Sequence, residues 1–177
     1  IGDGKMASPL LIELAIESAS INYESKSSIS KDLKGVKLLV TAGPTIEDID
    51  STRYISNRST GLMGLLIGQS ARFRGAKVDF IHGPIQINQE LLEGLNTFEI
   101  RSSHDMEATL DKLHSSADLI AMTAAIADVR TRYKTNKAKF PKKFLIKSLK
   151  EEIEIIPDLL EKLVQKKRKD QLILGFS

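Results

Sequence analysis

The chain has 177 residues, of which 41% are hydrophobic and 28% charged, a composition typical of one globular domain and not of a disordered chain. The absence of cysteine excludes disulfide bonds, thiolate catalysis and cysteine-bound metals within these residues. The net charge of +3 is uneven, because residues 130–177 hold 14 of the 26 basic side chains and 6 of the 23 acidic ones. Composition alone favours a solvated helix surface for this bias over an anionic ligand or a nucleic acid, so we predict no nucleic-acid partner.

The N-terminal residues do not have the pattern of a targeting segment. Charged side chains occur early, at Asp3, Lys5 and Glu13, and no apolar run approaches the roughly 20 residues that span a bilayer. We therefore expect neither a signal peptide nor a membrane helix, no membrane partner and a cytoplasmic location.

A short amphipathic helix is predicted after Ser8 and Pro9, which suit an N-cap and a first helical position. Its apolar stripe consists of Leu10, Leu11, Leu14 and Ile16. Residues 21–35 are polar, rich in serine and lysine and without steady periodicity, which is typical of a linker. The main domain is predicted to start at residue 36.

Short apolar runs then alternate with helical patterns. We predict strands at 36–41, 77–82, 97–101, 118–123, 144–149 and 171–176, with helices near 61–74 and 104–115 and another opened by Pro157. This rhythm predicts an α/β fold with a Rossmann-like, doubly wound, mostly parallel sheet and helices on both faces. Ligands of such sheets bind beyond the carboxyl ends of the strands, which directs attention to the loops after Thr41, His82, Thr123 and Phe176.

The loop over residues 42–64 has the composition of an anion-binding turn. Gly43 permits close main-chain approach, Pro44 stiffens the turn, and the residues at 56–61 crowd the start of the next helix, whose amides and positive end attract phosphate. Ordinary turn and cap chemistry is the open alternative. No Gly-Lys-Ser/Thr of a Walker loop and no GxGxxG of a dinucleotide binder is present, which disfavours ordinary NAD binding.

Several motifs together resemble one family. GPTIEDIDSTRYISNRSTGLMG (43–64) is similar to the signature GPT-x-E-x-x-D-x-x-R-x-I-x-N-x-S-S-G-x-M-G, with Thr60 in place of the second serine. TAAIAD (123–128), NKAKF (136–140), PDLLEKL (157–163) and LILGFS (172–177) follow in the order of the same family, the phosphopantothenate-cysteine ligases, also called phosphopantothenoylcysteine synthetases. Two departures are Phe140, which interrupts a lysine run, and Ile156, which replaces an asparagine.

The first residues carry a second resemblance. GDGKMASP (2–9) is similar to the C-terminal tail of the flavin-dependent phosphopantothenoylcysteine decarboxylase, which many bacteria fuse ahead of the ligase. The resemblances imply a decarboxylase tail at 1–20, a linker at 21–35 and a nucleotide-binding ligase domain at 36–177 that is incomplete at its C-terminus. FMN is expected only in the upstream decarboxylase domain and not in these residues.

The resemblance also implies a reaction. Such ligases join 4'-phosphopantothenate to L-cysteine through an acyl-cytidylate, converting CTP to CMP and pyrophosphate with Mg²⁺, and form homodimers as intact enzymes. Two alternatives stay open, a non-catalytic nucleotide-binding module and a nicotinamide-dependent reductase of the same fold.

Site residues follow from the matched motifs. The expected catalytic residues are Arg53, Asn57 and Lys137. The residues expected to bind the nucleotide are Gly43, Pro44, Thr45, Ser59, Thr60, Gly61, Ala124, Ala125, Ala127, Asp128, Lys137, Lys139 and Phe176. Asp128 is also the candidate for a metal held largely through the triphosphate.

Each of these residues has a plainer interpretation. Arg53 and Arg58 suit surface charges, Asn57 a helix cap and Asp128 an N-cap. The alanines and Phe176 suit core packing, and the lysines suit a solvated surface. His82, His104 and His114 show no metal-binding spacing and receive no role.

Overall fold

The computed structural model describes residues 6–24, 32–132 and 139–176. Its helices are α1 (Pro9–Glu24), α2 (Leu62–Phe73), α3 (Ser103–Leu113), α4 (Lys142–Glu152) and α5 (Leu159–Lys166), with short 3₁₀ turns at Gln89–Leu92 and His114–Ser116. Its strands are β1 (Lys37–Ala42), β2 (Ile46–Asp48), β3 (Tyr54–Ser56), β4 (Lys77–His82), β5 (Asn96–Glu99), β6 (Leu119–Met122), β7 (Val129–Thr131), β8 (Ile153–Ile155) and β9 (Leu172–Gly175).

The central sheet has five parallel strands in the order β5-β4-β1-β6-β9. Strand β1 lies in the middle, and its register pairs Thr41 with Ile81 on one side and with Met122 on the other. Its carboxyl end is therefore level with those of its neighbours. The chain winds outward from β1 in both directions, which confirms the predicted doubly wound, Rossmann-like α/β fold.

Alternate residues of the strands build two apolar layers. Leu39, Ile81 and Ile120 pack on one face, with Met106 and Leu110 of α3 and with Leu159 and Leu163 of α5. Leu38, Val40 and Phe80 pack on the other face with Leu65 and Ala71 of α2. Because both faces of β1 are covered, its sequence is a continuous apolar run and not an alternating pattern.

One face of the edge strand β9 is exposed. Leu172 and Leu174 leave 61% and 58% of their surface exposed, although Ile173 on the opposite face packs against the core. Among the described residues, no helix is both long and apolar enough to cross a membrane.

The predicted strand at 144–149 is wrong, because these residues belong to helix α4. Four of the six residues in this stretch are apolar and show no unique period, and Leu145 and Leu149, both half-buried, are four residues apart on one helix face. Ile146, on a different face, is 67% exposed.

Two antiparallel pairs, β2 with β3 and β7 with β8, were not predicted. Helix α1 extends to Glu24, four residues into the predicted linker. The division of the chain into a tail, a linker and a ligase domain stays a prediction.

The contact of α2 with the sheet depends on Gly64. A Cβ added there would lie 2.6 Å from both the Ala42 Cβ and the Thr123 Oγ1, whereas a Cβ at Gly68, one turn later, would meet its nearest atom, of Val78, at an ordinary 3.6 Å. We expect Gly64→Ala to lower the free energy of unfolding by about 1–3 kcal/mol through overpacking. Gly68→Ala should instead raise it by up to about 1 kcal/mol through helix propensity. Urea denaturation measures both, and equal effects of the two variants would contradict this packing.

Candidate functional site

The loops after β1 and β6 are joined through their main chains. The Ala125 amide donates to the Gly43 carbonyl at 2.9 Å, and the Thr45 amide donates to the Ala125 carbonyl at 3.3 Å, which makes Pro44 and Ala125 a parallel bridge. The Ala127 amide donates to the Thr45 hydroxyl at 3.0 Å. Because β1 and β6 flank the point where the chain reverses its direction of winding, this junction lies where doubly wound sheets bind ligands.

Two glycines bring the start of α2 against this junction. Gly43 and Gly61 have φ values of +73° and +77°, which side-chain-bearing residues rarely adopt. A Cβ on either would lie within 2.6 Å of the Ile85 methyl group, and one on Gly61 would lie 3.2 Å from the Gly43 nitrogen. Gly43 thus lacks room for a side chain, and its approach to a ligand stays a prediction.

The first turn of α2 opens toward solvent. The Leu62 amide donates to the Thr60 hydroxyl at 3.3 Å, and the first helical main-chain bond runs from Leu65 to Gly61 at 3.1 Å. The amides between these positions have no acceptor within the helix, as at every helix start. Leu62 and Met63 are 43% and 55% exposed, whereas Gly61 and Gly64 on either side of them are buried, so solvent reaches this end of the helix at Leu62 and Met63. Its amides and dipole suit a phosphate.

A cleft of about 510 Å³ lies beside the junction. It brings together predicted residues from distant segments, and its lining includes Ala124, Ala125, Ala127, Asp128 and Phe176 as well as the turn at 157–160. Main-chain bonds hold its walls, since the Ile156 amide donates to the Asp128 carbonyl at 2.8 Å and the Phe176 amide to the Met122 carbonyl at 3.2 Å. Phe176 is 50% exposed, which excludes the interpretation that it is a core residue.

Asn57 connects the loop before α2 to the β6 loop. Its side-chain amide donates to the Ile126 carbonyl at 3.0 Å, and the residue is exposed. It does not cap a helix, because Gly61 occupies the N-cap of α2. Asp128 is not an N-cap either, since it precedes strand β7, and its exposed carboxylate borders the cleft.

Arg53 is not a free surface charge. Its Nε donates to an Asp50 carboxylate oxygen at 2.9 Å, and its Nη2 donates to the Phe140 carbonyl at 2.7 Å. The guanidinium holds the pKa of the Asp50 carboxyl well below its ordinary value, and the amides of Thr52 and Phe140 act in the same direction. The Arg53 side chain retains 27% exposure.

The other cations of the matched motifs are less well defined. Lys139 and Arg58 are exposed, and Lys137 lies outside the described residues. No group of three His, Asp or Glu side chains within the described ranges is placed to hold a metal ion, which leaves Asp128 as a single carboxylate.

The basic residues of α5 face acidic partners. Lys166 pairs with Asp111 of α3 at 2.8 Å, and Lys162 of α5 pairs with Glu107 of α3. The Lys166 ammonium lowers the pKa of the Asp111 carboxyl. This part of the basic C-terminal region is therefore a paired, solvated surface and not an anion site.

Two buried carboxylates near the site were missed by the sequence interpretation. Glu47 is 6% exposed and accepts the Ser103 amide at the start of α3 at 2.7 Å, and Asp50 is 2% exposed. Both are the acidic positions of the long motif, so their presence was visible there. Their partners lie 56 and 90 residues away, at Ser103 and Phe140, which no local pattern indicates.

Comparisons with known proteins agree with this geometry. Residues 33–177 match the model of the DNA/pantothenate metabolism flavoprotein C-terminal domain. The chain is 31% identical over 184 residues to the coenzyme A biosynthesis bifunctional protein CoaBC of Bacillus subtilis (strain 168), covering 100% of this chain and 41% of that protein. It is 32% identical over 179 residues to a cysteine/cysteine sulfinic acid decarboxylase of an unknown prokaryotic organism, covering 99% of this chain and 47% of that protein.

A solved structure shares the fold. The crystal structure of the C-terminal domain of a coenzyme A biosynthesis bifunctional protein CoaBC matches with a TM-score of 0.66 and 33% identity, covering 81% of this chain and 64% of that one. The chain spans less than half the length of the two curated relatives. With a family match that extends from Leu33 through the whole sheet, the chain belongs to the DNA/pantothenate metabolism flavoprotein C-terminal domain family.

Proposed function

We propose that the chain is the nucleotide-binding part of a phosphopantothenate-cysteine ligase of coenzyme A biosynthesis. The observation that carries the proposal is the arrangement at the carboxyl end of the sheet. There the start of α2 packs against the joined β1 and β6 loops through Gly61 and Gly43, and a cleft of about 510 Å³ lies on the β6 side of these loops. Such a surface suits a triphosphate next to a base. The similarity to bifunctional coenzyme A biosynthesis proteins supports the same assignment.

The proposed reaction has two transfers. A carboxylate oxygen of 4'-phosphopantothenate attacks the α-phosphorus of CTP, the bond to pyrophosphate breaks, and an acyl-cytidylate forms. The amine of L-cysteine then attacks the acyl carbon, the bond to CMP breaks, and the amine proton passes to solvent. The protein contributes chiefly by positioning the reactants and by stabilising the charge on the phosphates.

The residues divide by where they lie. We assign phosphate binding to the turn at 43–45 and to residues 59–61, because both match the family motif and lead into the first turn of α2, whose amides have no acceptor within the helix. We assign the base to the cleft, which Ala124, Ala125 and Ala127 line with small side chains and which Phe176 borders. Lys139 and Lys137 are proposed to offset triphosphate charge.

Asn57 is proposed to hold the activated acyl group. One hydrogen of its Nδ2 donates to the Ile126 carbonyl, which fixes the orientation of the side-chain amide and leaves the second hydrogen for the acyl group. The side-chain oxygen suits the incoming amine of cysteine. Arg53 is proposed to act from its exposed edge while its Nε and Nη2 stay bound to Asp50 and Phe140.

The fit to Mg²⁺ is limited to one carboxylate. Among the described residues, two acidic ones line the cleft, Asp128 and Asp158, and the carboxylate of Asp158 caps α5. Because Asp128 is then the available carboxylate, a metal here needs the triphosphate oxygens as its main ligands. Bound in that way, Mg²⁺ supplies neutralisation of phosphate charge. FMN has no proposed place in these residues, and the homodimer and the cytoplasmic location stay predictions.

Two other functions compete with ligation. A non-catalytic module binds nucleotide without forming product, and a nicotinamide-dependent reductase transfers hydride. The name of one relative refers to decarboxylation, but this chain spans 47% of that protein. Product analysis separates all of these functions.

One prediction of the proposed reaction concerns the acyl-cytidylate intermediate. With CTP, Mg²⁺ and 4'-phosphopantothenate but no cysteine, the full-length protein should accumulate the acyl-cytidylate, detectable by mass spectrometry. Adding L-cysteine should convert it to the ligated product with release of CMP. Appearance of CDP and phosphate would replace the acyl-nucleotide by an acyl-phosphate, and hydride transfer without ligation would favour the reductase.

Another prediction concerns the role of Asn57. Asn57→Asp removes the donor to the Ile126 carbonyl and to the acyl group, so we expect the turnover number to fall by about a hundredfold or more. The dissociation constant of CTP should stay within about threefold, because main-chain groups bind the phosphates. Asn88→Asp is the matched control, since an aspartate also caps the 3₁₀ turn that Asn88 caps. Lost CTP affinity with intact product formation, measured by calorimetry and turnover, would contradict the assigned role.

A further inference from the structure

Asp50 is a buried carboxylate whose every recorded partner is a donor. One oxygen accepts the Thr52 amide at 2.8 Å, the Thr52 hydroxyl at 3.0 Å and the Arg53 amide at 3.0 Å. The other oxygen accepts the Arg53 guanidinium at its Nε and Nη2 and the Phe140 amide at 3.1 Å. A buried carboxylate with this many donors is stable only as an anion. Asp50 therefore acts as a fixed acceptor and has no free oxygen for a substrate.

The long-range part of this network fixes the main chain at residue 140. The Phe140 amide binds Asp50, and its carbonyl accepts Arg53 Nη2 at 2.7 Å, so both peptide groups of this residue are held by the turn between β2 and β3. That turn is closed on itself, because the Ile49 amide donates to the Arg53 carbonyl at 2.8 Å. The contact joins points 90 residues apart in the chain.

A second contact anchors the chain before this point to the same hairpin. The Thr131 hydroxyl donates to the Asp48 carbonyl at 3.0 Å, at the end of strand β7. Lys139, adjacent to the anchored Phe140, is exposed. Its backbone position is thus set by a carboxylate that itself contacts no solvent, since the side-chain exposure of Asp50 is 0%.

We propose that Asp50 is a positioning residue, which holds the Phe140 main chain and thereby places Lys139 for the triphosphate. This inference rests on the proposed function. Asp50 acts through Phe140, and the ammonium of Lys139 is the group that meets the nucleotide. The identity of the Phe140 side chain is secondary, because both anchoring bonds use its main chain.

Asp50→Asn is the informative change. An asparagine presents one acceptor oxygen and one donor NH₂, and both positions here face donors. Whichever way the amide is oriented, it meets either Arg53 and Phe140 or Thr52 and Arg53 with the wrong polarity. We expect faster hydrogen exchange at the Phe140 amide and a rise of about tenfold in the dissociation constant of Mg²⁺-CTP.

A double-mutant cycle with Lys139→Ala tests whether the two residues act together. If Asp50 acts through Lys139, each single variant raises the dissociation constant of CTP by about tenfold. The double variant then raises it by at most about a further threefold over either single variant. Asp111→Asn, which removes an ion-paired carboxylate on α3 away from the cleft, is the matched control and should leave CTP affinity unchanged. The CTP affinity of Asp50→Glu, which keeps the carboxylate, is measured in parallel. This variant replaces the asparagine variant in the cycle if the asparagine variant fails to fold.

The outcomes separate the inference from the function. Faster exchange at Phe140 with unchanged CTP affinity would make the contact purely structural and would overturn the inference, as would multiplicative effects in the cycle. A wild-type protein that neither binds CTP nor forms product would instead overturn the proposed function. Loss of affinity in the Asp50 variants with wild-type-like affinity in Asp111→Asn supports the positioning role.

Discussion

The loops that follow β1 and β6 are held together by their own main chains, and the rest of the candidate site is positioned from that junction. Thr41 is fully buried beneath it, and its hydroxyl and carbonyl accept the amides of Ala124 and Thr123 at 3.2 Å. Ala125 continues the contact on the outer side by bonding Gly43 and Thr45. Neither loop can move without breaking hydrogen bonds to the other, so the surface under the proposed triphosphate is preorganised.

The glycines complete this arrangement because they have no side chain that would keep the neighbouring elements apart. Gly64 lets α2 lie on β1, while Gly43 and Gly61 let the loop and the helix start share the space under Ile85. Gly83 has the same effect on the β4 loop, since a Cβ there would lie 1.7 Å from the Pro44 carbonyl oxygen. The close approach brings the loops after β1 and β4 and the start of α2 together.

Charge is buried in this region only where donors surround it. Glu47 accepts an amide at the positive end of α3, and Asp50 accepts the Arg53 guanidinium and several amides, which offsets the cost of removing each carboxylate from water. The exposed pairs between α3 and α5 differ in kind, because solvent screens them and each contributes little. The β2–β3 hairpin therefore depends on ionic contacts, and the sheet depends on apolar packing.

Features that depend on local sequence patterns were predictable, and features that depend on contacts between distant residues were not. The five parallel strands were predictable because β1, β4 and β6 are apolar runs whose length and spacing are local properties. The three-residue strands β2, β3, β7 and β8 are too short to show a period, and the run at 144–149 fits a helix as well as a strand. The cleft residues were found through motifs. The anchor between Asp50 and Phe140 was not, because its two ends are joined only by the tertiary fold.

Main-chain bonds also hold the two positions that depart from the family motifs. Ile156 contributes its amide to the Asp128 carbonyl, and Phe140 contributes its amide and carbonyl to the anchor, so these contacts form whichever side chain is present. An inhibitor that bonds only to the amides in the first turn of α2 would share this independence. Point substitutions cannot remove those amides without disturbing the start of the helix itself, so resistance to such a compound would arise slowly.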